Sequence, residues 1–159
     1  MAELSLLGFA AALTEMTLEV DHATHSGLEA AARIVQTEAK AEIGHYQGAI
    51  GGLPAWAELA DNTKDDRVRH GYTENDPGLR SGAMRDSIET NVSGHEAMIG
   101  SDDDHLVYFE LGTTKQPPRT VLAGALMRKE KEVVHEIGER FVGTLVGGEV
   151  IGGALRLKR

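Results

Sequence analysis

Residues 106–125 read LVYFELGTTKQPPRTVLAGA, and this stretch carries the densest set of geometric instructions in the chain. Leu106, Val107, Tyr108, Phe109 and Leu111 form an apolar and aromatic cluster in a protein whose aromatic content is only 4%. The cluster is expected to anchor the core, as a buried strand or a helical turn. Gly112 is expected to end that element, because glycine takes positive φ without strain. Pro117 and Pro118 restrict the backbone around them to extended geometry, so the chain should enter its next element from a stiff loop. That element is a helix, since Leu122, Leu126, Val133, Ile137, Phe141 and Leu145 recur at intervals of four or seven. Gly147 and Gly148 are expected to stop it.

Working upstream, the residues from Ser87 to Val92 alternate, with Ile88, Thr90 and Val92 on one face. Ser93 and Gly94 offer a turn before residues 96–100, so the pair predicts a β-hairpin. Asp102, Asp103 and Asp104 mark an exposed polar corner between the hairpin and the apolar cluster. Residues 55–76 carry Trp56 and Leu59 and then a charged run of both signs with few apolar anchors, which predicts an extended surface loop with at most a helical turn. Trp56 is expected to plug the core rather than serve as a binding handle. Gly44, Gly48, Gly51, Gly52 and Pro54 break the preceding helix. Before them, Phe9, Leu13, Met16, Val20, Leu28, Ala31, Val35, Ala39 and Ile43 keep helical spacing except across residues 21–27. Ser5 can cap this region, and Asp21 or Ser26 can start a second helix, so the pattern predicts one bent helix or two that meet near residues 21–27.

Composition sets the outer bounds. A chain of 159 residues suits one domain that buries roughly 70% of its unfolded surface. Cysteine is absent, which excludes disulfides and thiolate metal sites. No apolar run approaches the ~20 residues of a membrane span, and Glu3 stands where a signal peptide would be basic, so neither a membrane nor a secretory route is expected. The formal charge of −9 opposes general attraction to phosphate backbones.

Chemistry is sparsely signalled. Asp21, His22 and His25, and separately Asp102, Asp103, Asp104 and His105, are the only clusters with metal-ligating side chains, and neither has the four-residue histidine spacing of a helical site. No metal or other cofactor is expected. Glu110, between Phe109 and Leu111, has the burial a general base needs but no partner, so a structural part is expected: accepting hydrogen bonds from loop amides or pairing with Arg119. Arg85 and Arg119 are expected in core-edge or subunit-contact ion pairs, and His45 and His135 on helix surfaces. The tail, residues 149–159, ends in Arg156, Lys158 and Arg159 on an otherwise acidic chain.

Tyr108, Glu110, Gly112 and Thr113, followed by Pro117, Pro118 and Arg119 and then Leu122 and Ala125, form a pattern that resembles the aromatic-Glu-Phe-Gly-Thr and Pro-Pro-Arg-Pro-Phe-Leu segments of head-tail joining and tail-completion proteins of long-tailed phages, prophages and gene transfer agents. Leu79, Ser81, Gly82, Met84, Arg85, Ser87 and Ile88 are similar to that family's Leu-x-Thr-Gly-x-Leu-Arg-x-Ser-Ile signature. Trp56, Leu59 and Thr63 resemble a Trp-x-x-Leu-x-x-x-Thr segment of related virion morphogenesis proteins. Thr120, Val121 and Gly124 depart from the family's Pro, Phe and Pro. The resemblance implies a non-enzymatic virion protein at the head-tail junction, with no catalytic residue. Its partners would be further copies in a homo-oligomeric ring, a hexamer, adjacent head-connector and tail-tube proteins, and DNA passing through the channel without specific binding.

The expected architecture is α+β: a long N-terminal helical region, a small antiparallel sheet with a hairpin, and a C-terminal amphipathic helix packed on it. Residues 1–148 would form a single domain, followed by the basic tail, whose Arg156, Lys158 and Arg159 would make assembly contacts. A metal-dependent hydrolase using the Asp/His clusters and a cellular ring-forming adaptor are the alternative readings.

Overall fold

The structure, a computed structural model, describes residues 5–146. The tail with Arg156, Lys158 and Arg159, and the expected stop at Gly147 and Gly148, lie outside the described residues. The fold is α+β, with a long N-terminal helix, a two-stranded antiparallel sheet and a long C-terminal helix.

Helix α1, Leu6–Glu42, is continuous over 37 residues, about 55 Å at the α-helical rise. The Ser5 hydroxyl caps it by accepting from the Gly8 amide at 3.1 Å. The polar interval at residues 21–27 does not split the helix. Gly27 is buried in contact distance of Ile137, where a Cβ would stand 3.4 Å from its Cα, so this glycine lies in a helix seam instead of marking a break. Gly27, Ala31, Val35 and Ala39 form a buried stripe at four-residue spacing.

Helix α5, Leu122–Val146, runs antiparallel along that stripe, as the pairs Glu42 with Arg128 and Ser26 with Arg140 require. Val121, Gly124 and Ala125 are its buried positions at the start. Leu126 and Phe141, which the spacing assigns to the apolar face, are exposed. Leu122 and Val133, of the same apolar set, do pack against the core.

Strands β1, Glu89–Ser93, and β2, Glu96–Gly100, form the expected hairpin, with Ser93 opposite Glu96 and Glu89 opposite Gly100. Gly94 at the turn has φ 57°. The hairpin lies on α1: Gln36 Nε2 donates to the Ile88 carbonyl at 2.8 Å, and His95 meets Asp21 at 3.2 Å. Ile88 is fully buried, while Thr90 and Val92 on the same face are half-buried.

Two expectations need correction. Residues 55–76 contain helix α2, Asp61–Arg69. No apolar periodicity announces it because its buried residue is a charged one, Arg67, while its Val68 is exposed. Asp61 in the first turn and Arg67 and Arg69 in the last suit the helix dipole. His45, expected on a helix surface, is exposed but lies in the turn beyond α1. The short helix α3 covers Ala83–Asp86, and the cluster around Leu106 forms helix α4, Asp104–Leu111. Only Leu106 and Phe109, three residues apart, face the core, and Val107, Tyr108 and Leu111 point outward.

The core joins Val35, Ala39 and Ile43 of α1 to Trp56, Ile88, Phe109 and Val121. At its edge Glu42 is 2% exposed and pairs with Arg128, yet its Oε2 has no hydrogen-bond partner. Burial outweighs the attraction of Arg128 and pushes the Glu42 pKa up to about 7. A carboxyl whose folded pKa lies above its unfolded value stabilises the fold fully below the unfolded value, and that contribution is lost as pH rises through the folded one. Stability should therefore fall between about pH 4.5 and pH 7, by on the order of 2–3 kcal/mol from this group. Urea denaturation of Glu42→Gln across that interval should show a flatter profile than the wild type. Parallel profiles would show that the carboxylate is not strained by burial.

Candidate functional site

The joint between α4 and α5 is built around Glu110. Its carboxylate accepts from the amides of Val121 at 2.5 Å, Leu122 at 2.9 Å and Ala123 at 3.0 Å. These donors belong to the first turn of α5, where amides have no intrahelical acceptor, so a side chain eleven to thirteen residues upstream supplies the cap that Val121 cannot. Of the two roles expected for Glu110, amide acceptance is the one realised. Arg119 goes elsewhere.

Between them the chain reverses tightly. Gly112 has φ 74° and ψ 178°, a region that glycine alone occupies, and a Cβ there would stand 2.7 Å from the Pro118 nitrogen. Thr113 accepts at its hydroxyl from the amides of Lys115 and Gln116 and pairs its backbone with Gln116. Pro117 and Pro118 remain exposed and carry the chain to Arg119, whose amide donates to the Phe109 carbonyl at 2.8 Å.

The Arg119 side chain crosses the Phe109 ring, 5.6 Å from its centroid, and reaches the carbonyls of Ala57 and Glu58 at 2.8 to 3.1 Å. No carboxylate pairs with it among the described residues, and burial holds its pKa below the ordinary value. Trp56 meets the other partner of this stack: its ring lies edge-on to Phe109 at 5.3 Å, and its Nε1 donates to the Thr120 carbonyl at 3.3 Å. The core-plug expectation for Trp56 holds.

Above this joint opens a cleft of about 590 Å³. Gly82, Tyr108, Thr113 and Arg119 line it, so four of the residues singled out in the sequence converge there. Arg67 of α2 lines it as well. Its Nε donates to the Thr73 carbonyl at 2.7 Å and its Nη2 to the Leu79 carbonyl at 2.5 Å. Sequence reading missed Arg67 because its partners lie 6 and 12 residues away across a turn, a contact no periodicity reports. Arg80, over the Tyr72 ring at 5.0 Å, pairs with Asp66 at 3.2 Å near the rim.

Arg85, Ser87, His22 and His25 stay outside the cleft, whereas Asp103 and His105 line it. Arg85 pairs with its neighbour Asp86 on the surface, and that pairing lowers the Asp86 pKa. The Ser87 hydroxyl meets Ser101 at 2.6 Å and donates to the Met84 carbonyl, tying α3 to the end of the hairpin. The aspartate corner is a cap: Asp103 accepts from the His105 amide at 2.9 Å, which holds its carboxyl below the usual range, and also meets the His105 ring. His22 and His25 face different surroundings, with His25 against Glu29. Among the described residues no group of three or more His, Asp or Glu side chains is arranged to hold a metal ion, and no helix is long and apolar enough to cross a membrane.

No family model matches the chain, and no curated protein or solved structure matches it.

The Glu110 cap makes a quantitative expectation. Glu110→Gln keeps the shape but loses the charge and should cost about 1–2 kcal/mol, whereas Glu110→Ala strands three amides and should cost about 3 kcal/mol. Chemical denaturation of the two variants against wild type gives both values, and an alanine variant as stable as wild type would show that the amides find other acceptors.

Proposed function

We propose that the chain is a structural, non-catalytic component of a tailed-phage particle, placed at the head-tail junction, where copies form a ring that completes the tail or joins it to the head. The sequence motifs that resemble the head-tail joining and tail-completion family supply the identity of this reading. The observation that carries the assembly is the end of α1 that no described residue covers. The cavity between the helices is lined by Glu19 and His22 on one side and by Gly143 and Thr144 on the other, so the described part of α5 ends level with Glu19. Residues 6–18 extend beyond it.

That extension bears Leu6 at 86% exposure, Leu7 at 84%, and Phe9, Leu13 and Leu18, all open to solvent. Single exposed apolar residues are ordinary, but Leu6, Leu7, Phe9, Leu13 and Leu18 together leave this segment rich in exposed apolar side chains, of the kind that marks an interaction site. The segment carries Glu15, with Glu19 and Asp21 just beyond it, and no lysine or arginine stands before Arg33. Adjacent copies, head-connector proteins and tail-tube proteins are the partners this surface would serve. An overall charge of −9 suits a channel that DNA traverses without adhering.

Leu7 and Leu18 lie eleven residues apart, three turns along one face of α1. The double variant Leu7→Asp, Leu18→Asp should therefore shift folding stability by less than about 0.5 kcal/mol while preventing assembly. Light scattering of the purified protein, alone and mixed with tail tubes, should show a ring in one of the two conditions for wild type and only monomer for the variant. A wild-type chain that stays monomeric in both conditions overturns the reading.

A further inference from the structure

The cleft above Phe109 holds an unbalanced charge. Arg67 is 5% exposed and Arg119 is 4% exposed. Both guanidinium groups bond only to neutral oxygens among the described residues: Arg67 to Thr73 and Leu79, Arg119 to Ala57 and Glu58. In each the bonds use Nε and Nη2, which leaves Nη1 without an acceptor. Neither Nη1 is among the buried atoms that are sealed from solvent without a partner, so each retains an opening, and the cleft is the cavity both residues line.

The carboxylates at the same cleft are already engaged. Asp66 is held by Arg80 and His70, each at 3.2 Å, and Asp103 by His105 at 2.7 Å. Two buried cations therefore face a cavity whose described carboxylates, Asp66 and Asp103, make their contacts with other side chains, in a protein whose net charge is −9. A buried guanidinium without a counter-charge is costly, and a carboxylate that meets its free N–H groups removes that cost. The apolar part of the remaining wall is formed by Leu59, Met84, Tyr108 and Phe109.

We propose that this cleft is a binding site for a carboxylate carried on an acidic, partly apolar peptide segment, with the acid group between Arg67 and Arg119 and the flanking side chain on the Phe109 and Met84 wall. A free phosphate fits less well, because it leaves the Phe109 and Met84 wall uncovered and, as a dianion, is repelled by Asp66 and Asp103 more strongly than a single carboxylate is. A nucleic acid fits worst, because the whole acidic surface opposes a polyanion. The site stands on its own geometry and does not depend on the chain forming a ring.

Trp56 is the only tryptophan and packs on Phe109, so its fluorescence reports occupancy of the cleft. The probes are an acetylated, amidated tripeptide of leucine, glutamate and phenylalanine, its glutamine counterpart, and inorganic phosphate. The glutamate peptide should bind saturably, and the glutamine peptide at least about tenfold more weakly, the usual size of a lost charge-assisted hydrogen bond. Arg119→Lys should weaken the glutamate peptide by a similar factor. Because Arg119 also holds the carbonyls of Ala57 and Glu58, a second variant is needed: Ala83→Tyr, at an exposed position on the rim, should abolish binding with an unchanged melting temperature. Equal affinity for the two peptides, no binding of the glutamate peptide, undiminished binding to Ala83→Tyr, or saturable binding of phosphate in preference to the peptide would each overturn the proposal.

Discussion

One carboxylate receives three backbone amides where α5 begins, and that convergence on Glu110 determines where the longest contact in the molecule starts. A helix of 25 residues leaves its first amides without acceptors, and the residue before it, Val121, has no side chain that can serve. Glu110 serves instead from the last turn of α4. Because the cap comes from another helix, it fixes the direction of α5 as well as its first residue. The tight reversal at Gly112 and the stiff pair Pro117 and Pro118 bring the two ends within reach, and the Trp56, Phe109 and Arg119 stack fills the space beneath. From that origin α5 runs along the small-residue stripe of α1.

The same joint explains why the cleft exists. Phe109 is held from one side by Trp56 and from the other by Arg119, so its ring forms a rigid floor. Arg67 and Arg119 each brace a loop by bonding to its carbonyls, which ties residues 57–58 and 73–79 to the core through charged side chains. Such braces supply fixed N–H geometry without closing the cavity, and they leave positive charge beside apolar walls. At the opposite end of the molecule α1 presents exposed apolar residues with no described partner. The chain thus has a braced end that holds the cleft and an extended end that no described element covers.

The sequence was most legible where local chemistry decides. The cap at Ser5, the hairpin around Gly94, the positive φ of Gly112, the buried Trp56 and the amide-accepting role of Glu110 could each be read from residue type and short spacing. What it concealed depends on distant partners. Gly27 closed the polar interval that interrupts the helical spacing, and only its contact with Ile137 shows that it lies in a helix seam. Leu126 and Phe141 followed the apolar spacing yet are exposed, while Gly124 and Ala125, off that spacing, are buried. Helix α2 was hidden because an arginine occupies its buried face, and burial of Arg67 is stabilised by carbonyls outside any helical register. The site was therefore half visible: Gly82, Tyr108, Thr113 and Arg119 stood out as motif residues, while Arg67 and Arg80 did not.

Amide hydrogen exchange tests the central claim, that the Glu110 cap holds the start of α5 as firmly as the core. The Val121, Leu122 and Ala123 amides should exchange only with global unfolding, as slowly as those in the middle of α1 and α5, and their protection alone should collapse in Glu110→Ala while the mid-helix amides keep theirs until the fold as a whole opens. Rapid exchange at these three amides in the wild-type protein would show that the first turn of α5 frays freely, and would contradict the account.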